Sequence, residues 1–238
     1  MQQGRCDSLL AGGTLVVMVP TGAGLIVAAD SRLTIVGTGL ACDGSFKITE
    51  LEHVDRAALV VTGHSMVRDT RSLEGVLLSE FCDRLYKIAP KFDANNMLKR
   101  LIESEPALIS GTSFDLPRAC VDAVSEVLKS EPEVFDKLRG KNIFQVAVAF
   151  YDEPEKTSYI RCFPIDLASD GTVSSGALKV ERFRLSDKPS LSLLGEAEFL
   201  TAQVFRGPGL GFLGERYGRF RNLGADAEIK DVEVNVAG

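Results

Sequence analysis

Thr14-Leu15-Val16-Val17-Met18-Val19, then Pro20-Thr21-Gly22-Ala23-Gly24, then Leu25-Ile26-Val27-Ala28-Ala29 and Asp30 read as a strand, a turn, a second strand and a terminal carboxylate. The second strand is apolar at every position, as suits a strand buried between two layers. An antiparallel hairpin pairs residues whose numbers have a constant sum. A turn centred on Gly22 therefore sets Thr14 opposite Asp30, with both side chains on one face and Cβ atoms about 5 Å apart. Asp30 ends an apolar strand, where a carboxylate is costly unless paired or hydrogen-bonded. Arg32 and Lys47 are its nearby candidate partners.

Outward from this hairpin, Ala57 to Thr62 reads as another buried strand, closed by Gly63. Leu73, Val76, Leu77, Phe81, Leu85 and Ile88 fall on one helical stripe, so the spacing predicts a helix from Leu73 to Ile88, with Pro90 following. Two more helices are predicted, over Asn95 to Glu103 and over Pro117 to Lys129, the latter started by Asp115 or Pro117. Strands return at Ile143 to Tyr151 and Ser158 to Pro164, around the polar turn Asp152 to Lys156. Val180 to Leu185 and Ser190 to Leu194 read as further strands, and Ala197 to Arg206 as a helix. Strands, helices, strands and a helix in that order indicate an α+β layered domain, not the alternating units of a doubly wound sheet.

The 238 residues are 45% apolar and 25% charged, with a net charge of −6 and both signs intermixed. No basic stripe suits nucleic acid and no polybasic segment suits a membrane. No apolar run is long enough to span a bilayer. Leu9 to Val19 imitates a weak signal peptide, but Asp7 follows Arg5 and the run is broken by Gly12, Gly13 and Thr14, so the cytoplasm is the expected location. The five cysteines, Cys6, Cys42, Cys82, Cys120 and Cys162, are odd in number and contain no C-x-x-C pair, which fits scattered reduced thiols. The two histidines, His53 and His64, are not spaced for zinc with them. No metal and no cofactor is expected.

A threonine hydroxyl is a poor nucleophile without a base, and an N-terminal threonine carries one in its own α-amine. Such an amine titrates near about 7.7–8.0, so much of it is neutral around neutral pH. A nearby Lys47 ammonium would favour the neutral amine, with Asp30 holding Lys47 in place. Freeing the amine requires a cut before Thr14, and Gly13 allows the tight backbone geometry that self-cleavage needs. The same residues also read as a flexible glycine lead-in to an ordinary strand, with Thr14 there for its β-propensity.

Taken together, Gly13-Thr14-Leu15-Val16, Gly24 to Thr34 with its Asp30-Ser31-Arg32 segment, Phe46-Lys47-Ile48 and Val61-Thr62-Gly63-His64 resemble the start of proteasome β subunits and their bacterial relatives. The resemblance implies the four-layer αββα sandwich of N-terminal-nucleophile hydrolases, with residues 1–13 as propeptide and 14–238 as one domain. It implies Thr14 as nucleophile, Asp30 and Lys47 as a supporting ion pair, and Arg32 bracing the site. Gly63 would give its N–H to an oxyanion hole, and Val61 would face the substrate pocket. It further implies a peptide or unfolded-protein substrate, a homo-oligomeric ring, and an ATP-dependent unfoldase as an open partner.

The Asp30-to-Lys47 interval is seventeen residues, one longer than the family's usual spacing, so the loop through Gly37, Gly39 and Gly44 carries an insertion. The family's Gly-Ser-Gly is reduced here to Gly195 before Glu196. Its late Asp and Ser have no clear counterpart in 207–238, a stretch that is divergent or incomplete. A catalytically silent, unprocessed subunit of the same fold is therefore the alternative function. Gly209 to Gly214 matches G-x-G-x-x-G, but it follows an expected helix instead of a strand and reads as a flexible loop. Arg68, Asp69 and Arg71 read as a solvated lead-in to the first long helix.

Overall fold

The computed structural model describes residues 8–12, 15–21, 24–35, 41–52, 54, 56–69, 73, 76–109, 114–184 and 192–195. The opening hairpin forms from β2 (Leu15–Thr21) and β3 (Gly24–Ala29). Val16 and Met18 alternate onto one face and are fully buried, opposite Ala29 and Val27. The last described strand, β14 (Ser192–Gly195), joins the other edge of β2 to make a three-stranded sheet ordered β14-β2-β3.

A six-stranded sheet lies behind it. Its centre is the long pair β10 (Lys141–Asp152) and β11 (Thr157–Leu167), flanked by β7 (Ala57–Gly63) and β6 (Ile48–Glu50) on one side. On the other side, β12 (Val173–Ser175) and β13 (Lys179–Arg184) both pair with β11. The two faces of this sheet bury different cores. Val60, Ala147, Ala149, Ile160 and Cys162 meet Val16 and Met18 of the smaller sheet, where the two alanines allow close approach. Leu59, Val61, Val146, Val148, Phe163 and Ile165 face a helical layer instead.

That layer is α2 (Ala94–Ser104) and α3 (Leu116–Ser130). Asp93 caps α2 by accepting from the Asn96 N–H at 3.1 Å, and Leu98 and Ile102 sit fully buried on its inner stripe. Pro117 occupies the first turn of α3, where its missing N–H costs nothing, and Leu116, Cys120 and Val124 point inward. Each such aliphatic side chain contributes about 1.5–3 kcal/mol by leaving water. Burial pushes the Cys120 thiol up to about 12, so it is an inert packing group.

The third sheet is ordered β5-β4-β1-β8-β9, from β5 (Ala41–Cys42), β4 (Leu33–Ile35), β1 (Ser8–Gly12), β8 (Met66–Asp69) and β9 (Pro90–Asp93). Sequence reading missed all five, because strands this short hold too few alternations to display a period of two. β1 is the central strand, antiparallel to β4 through Ala11↔Ile35 and to β8 through Ser8↔Asp69. Thus part of the expected propeptide is woven into a sheet.

Three expectations need correction here. The helix predicted over Leu73 to Ile88 is only α1 (Leu78–Lys87), because Leu77 takes extended backbone and is 66% exposed. The stripe itself is apolar core: Leu73, Val76, Phe81, Leu85 and Ile88 all pack with Leu33 and Ile35, so burial is achieved without continuous helix. Second, Cys42 and Cys82 are joined in a disulfide, not held as separate thiols, while Cys120 and Cys162 are free and buried. Third, Arg68 is not a solvated helix lead-in. It is 7% exposed on β8, where its guanidinium donates to the Ile88 carbonyl. The predicted helix Ala197 to Arg206, the Gly209 to Gly214 motif, His53 and Cys6 lie outside the described residues. Among the described residues, no helix is long and apolar enough to cross a membrane.

Candidate functional site

At the open end of β2 and β3 the hairpin closes on its own carboxylate. The Asp30 N–H donates to the Leu15 carbonyl at 3.1 Å, and the Leu15 N–H donates to Asp30 Oδ1 at 3.0 Å. Asp30 therefore stands across from Leu15, not from Thr14 as the sequence suggested. The cause is the connection: Thr21 pairs with Gly24, leaving the two residues Gly22 and Ala23 between the strands in place of a turn centred on Gly22. Two-residue connections are the commonest in hairpins. Gly13 and Thr14 themselves lie outside the described residues.

Lys47 enters from the segment just before β6. It is 5% exposed, and its Nζ donates to Asp30 Oδ1 at 2.8 Å and also to the backbone carbonyl of Arg32. The Asp30 side chain is 39% exposed, so the pair couples a buried cation to a half-exposed anion. Desolvating an ammonium is expensive, and this geometry offsets the penalty with one charge-assisted bond and one carbonyl. A single carboxylate oxygen thus holds both the first described amide of β2 and the buried lysine.

Arg32 contributes through its backbone. Its guanidinium points outward to Asp43, Nε to Oδ1 at 3.2 Å, and both side chains are well exposed, so that ion pair adds little stability. Gly63 ends β7 with φ of +92°, and a Cβ there would stand 3.0 Å from Phe144 Cα and 3.1 Å from the Ile143 oxygen. Only glycine fits this turn without strain. The turn is fixed by the His64 N–H donating to the Ile143 carbonyl at 2.8 Å.

Ile48 pairs with Val60, so the next step of that register sets Lys47 beside Val61, two residues before Gly63. Lys47 and Gly63 therefore share one end of the sheet stack. Gly195 pairs with Leu15 and brings a further backbone to the same end. Val61, expected to face a pocket, is fully buried in the core beneath the helical layer.

The structure thus brings Leu15, Asp30, Lys47 and the Arg32 carbonyl into one hydrogen-bonded chain, and keeps the Arg32 guanidinium out of it. Sequence reading did not find the Leu15 amide as Asp30's second partner, or Asp43 as the partner of Arg32. A correct hairpin register would have revealed the first; nothing local marks the second. Among the described residues, no group of His, Cys, Asp or Glu is arranged to hold a metal ion. Comparison with protein-family models finds no match, and comparison with curated proteins finds none.

Proposed function

We propose that this chain is a threonine peptidase or amidohydrolase of the proteasome type, with Thr14 as its nucleophile after a cut following Gly13. One observation carries the reading: Asp30 Oδ1 binds both the Leu15 N–H and the buried Lys47 ammonium. Leu15 is one peptide bond from Thr14, so the two Cα atoms are about 3.8 Å apart. The reading sets the Lys47 ammonium close to the Thr14 hydroxyl, because Lys47 and the Leu15 N–H share Asp30 Oδ1.

In the proposed chemistry, Thr14 Oγ first attacks the Gly13 carbonyl carbon, the peptide C–N bond breaks, and the acyl group passes from nitrogen to oxygen. Water then hydrolyses that ester and leaves Thr14 with a free amine. In each later cycle the amine takes the Oγ proton as Oγ attacks a substrate carbonyl, and passes it to the departing amine. The ester on Thr14 is resolved by water or by another amine. Lys47 favours the neutral form of the Thr14 amine and steadies charge developing on Oγ. The Gly63 N–H is assigned to the substrate oxyanion, a role worth a few kcal/mol in comparable sites.

The finer fold belongs to the same proposal. Apart from the five-stranded sheet and α1, a three-stranded and a six-stranded sheet stack face to face with α2 and α3 on the far side of the larger one, and the helix expected over Ala197 to Arg206 is assigned to the fourth layer of an αββα sandwich. Ile26, 54% exposed on the outer face of β3, marks the surface this layer would cover. Substrates would be peptides or unfolded proteins, and the assembly a homo-oligomeric ring that hides the nucleophile.

A second reading, a silent unprocessed subunit, is favoured by β1, since residues 8–12 form the middle of a sheet that a cut at Gly13 would loosen. Labelling with an electrophilic peptide separates the two. The peptidase reading predicts one adduct on Thr14, absent in Thr14→Ala and lost by at least about a hundredfold in rate in Lys47→Ala. No adduct on the wild type, or undiminished labelling of Lys47→Ala, would count against it.

A further inference from the structure

We propose that the Cys42–Cys82 disulfide positions Lys47, so that its reduction by a dithiol loosens the Asp30–Lys47 pair and its re-formation restores it. The link joins β5 to α1 across a Cα–Cα distance of 5.5 Å. From it, two chain segments run side by side to the candidate site. Leu33 pairs with Cys42, the Arg32 guanidinium meets Asp43 at 3.2 Å, and the Ser45 N–H donates to the Ser31 carbonyl at 2.9 Å. The last rung is Lys47 Nζ on Asp30 Oδ1 at 2.8 Å.

Burial shows where this ladder is held. Cys42 is 1% exposed and Lys47 5%, but between them Asp43 and Gly44 are exposed and Phe46 is 92% exposed. The segment that carries Lys47 is therefore anchored at its ends and not by packing along its length. The Cys42 end belongs to a strand of two residues, whose ladder with β4 is Leu33↔Cys42 and Thr34↔Ala41. So short a pairing fixes little by itself. The remaining hold comes from α1, through the Cys82 sulfur and the Tyr86 hydroxyl, which donates to the Cys42 carbonyl at 3.5 Å. Cutting the sulfur bond leaves a buried ammonium on a segment able to open, and an ammonium gains hydration by opening.

Cys82 is partly exposed, so a dithiol's thiolate attacks its Sγ, forms a mixed disulfide and releases Cys42 as a thiolate that takes up a proton. The reductant's second thiolate then attacks its own bonded sulfur and releases Cys82, which is protonated in turn. Two electrons pass to the protein, and the dithiol leaves as a cyclic disulfide. A small disulfide oxidant runs the same steps in reverse. In the cytoplasm expected from the sequence, links of this kind are transient and redox-sensing. The effect on catalysis rests on the peptidase reading, where Lys47 acts on the Thr14 amine. The mechanical coupling does not.

Pulsed chemical labelling of the full chain, oxidised and after treatment with dithiothreitol, tests it. Acylation of Lys47 reads its exposure, and alkylation of Cys120, fully buried on α3, reads global opening. Reduction should raise Lys47 acylation at least about tenfold more than Cys120 alkylation, the mark of a local opening. Cys42→Ser with Cys82→Ser should match the reduced wild type and ignore dithiothreitol; if that variant does not fold, the two redox states of the wild type decide. Lys47 equally protected in both states overturns the proposal, as do Lys47 and Cys120 rising together, which would make the link a general staple. So does a folded double variant that shields Lys47 as the oxidised wild type does. Labelling of Thr14 by an electrophilic peptide should fall on reduction. An oxidised protein that never labels there would count against the peptidase reading and leave the Lys47 result to decide the coupling.

Discussion

Asp30 does two jobs with one oxygen, anchoring the Leu15 amide and neutralising an ammonium whose side chain is only 4% exposed. Removing the carboxylate takes this countercharge from a buried cation. Asp30→Ala should therefore destabilise the protein by about 2–4 kcal/mol, below the full cost for a completely buried pair because Asp30 is itself half-exposed. Asp30→Asn keeps an acceptor for the Leu15 N–H and should lose less. Urea unfolding measures both, and an Asp30→Ala loss under about 0.5 kcal/mol would contradict the assigned balance of charge. Asp30 and Lys47 were legible as residues: a carboxylate ending an apolar strand needs a partner, and a lysine between Phe46 and Ile48 can provide one. The register was not legible. Glycines at positions 22 and 24 fit a two-residue or a three-residue connection equally, and that one-residue difference moved Asp30 from Thr14 to Leu15.

At the scale of elements, the long strands were readable and the short ones were not. β10 and β11 contain enough consecutive apolar residues to declare themselves buried on both faces, and the sequence reading shortened each by only a few residues. β5, with two residues, has no pattern to detect; its place is set by pairing with β4 and by the bond from Cys42 to Cys82 in α1. An odd cysteine count concealed that bond, because a disulfide needs two cysteines close in space and the chain brings these together over a sequence separation of 40. Closing a loop of that length restricts the unfolded chain by about 4 kcal/mol in the entropic model. A reducing agent, or the double substitution Cys42→Ser with Cys82→Ser, should lower stability by up to that amount. The measurement is a denaturant midpoint with and without reductant. A wild type that reductant leaves unchanged would contradict a stabilising role for the link.

At the scale of the whole molecule, the two sheets, their helical layer and the closed end of β2 and β3 form the frame that positions a lysine–carboxylate pair beside the residue after Thr14. The layered α+β character was visible in the order of predicted strands and helices. The weaving of residues 8–12 between β4 and β8 was not, since each of its partners is a short strand remote in sequence. That weaving sharpens the central question, because the segment that self-cleavage would detach also completes a sheet. Intact mass of the purified, folded protein answers it most directly. Self-processing predicts a wild-type chain that begins at Thr14, with residues 1–13 recovered as a separate or still-associated peptide, and an uncut chain for Thr14→Ala. A wild type that retains residues 2–13 joined to Thr14 would contradict the account.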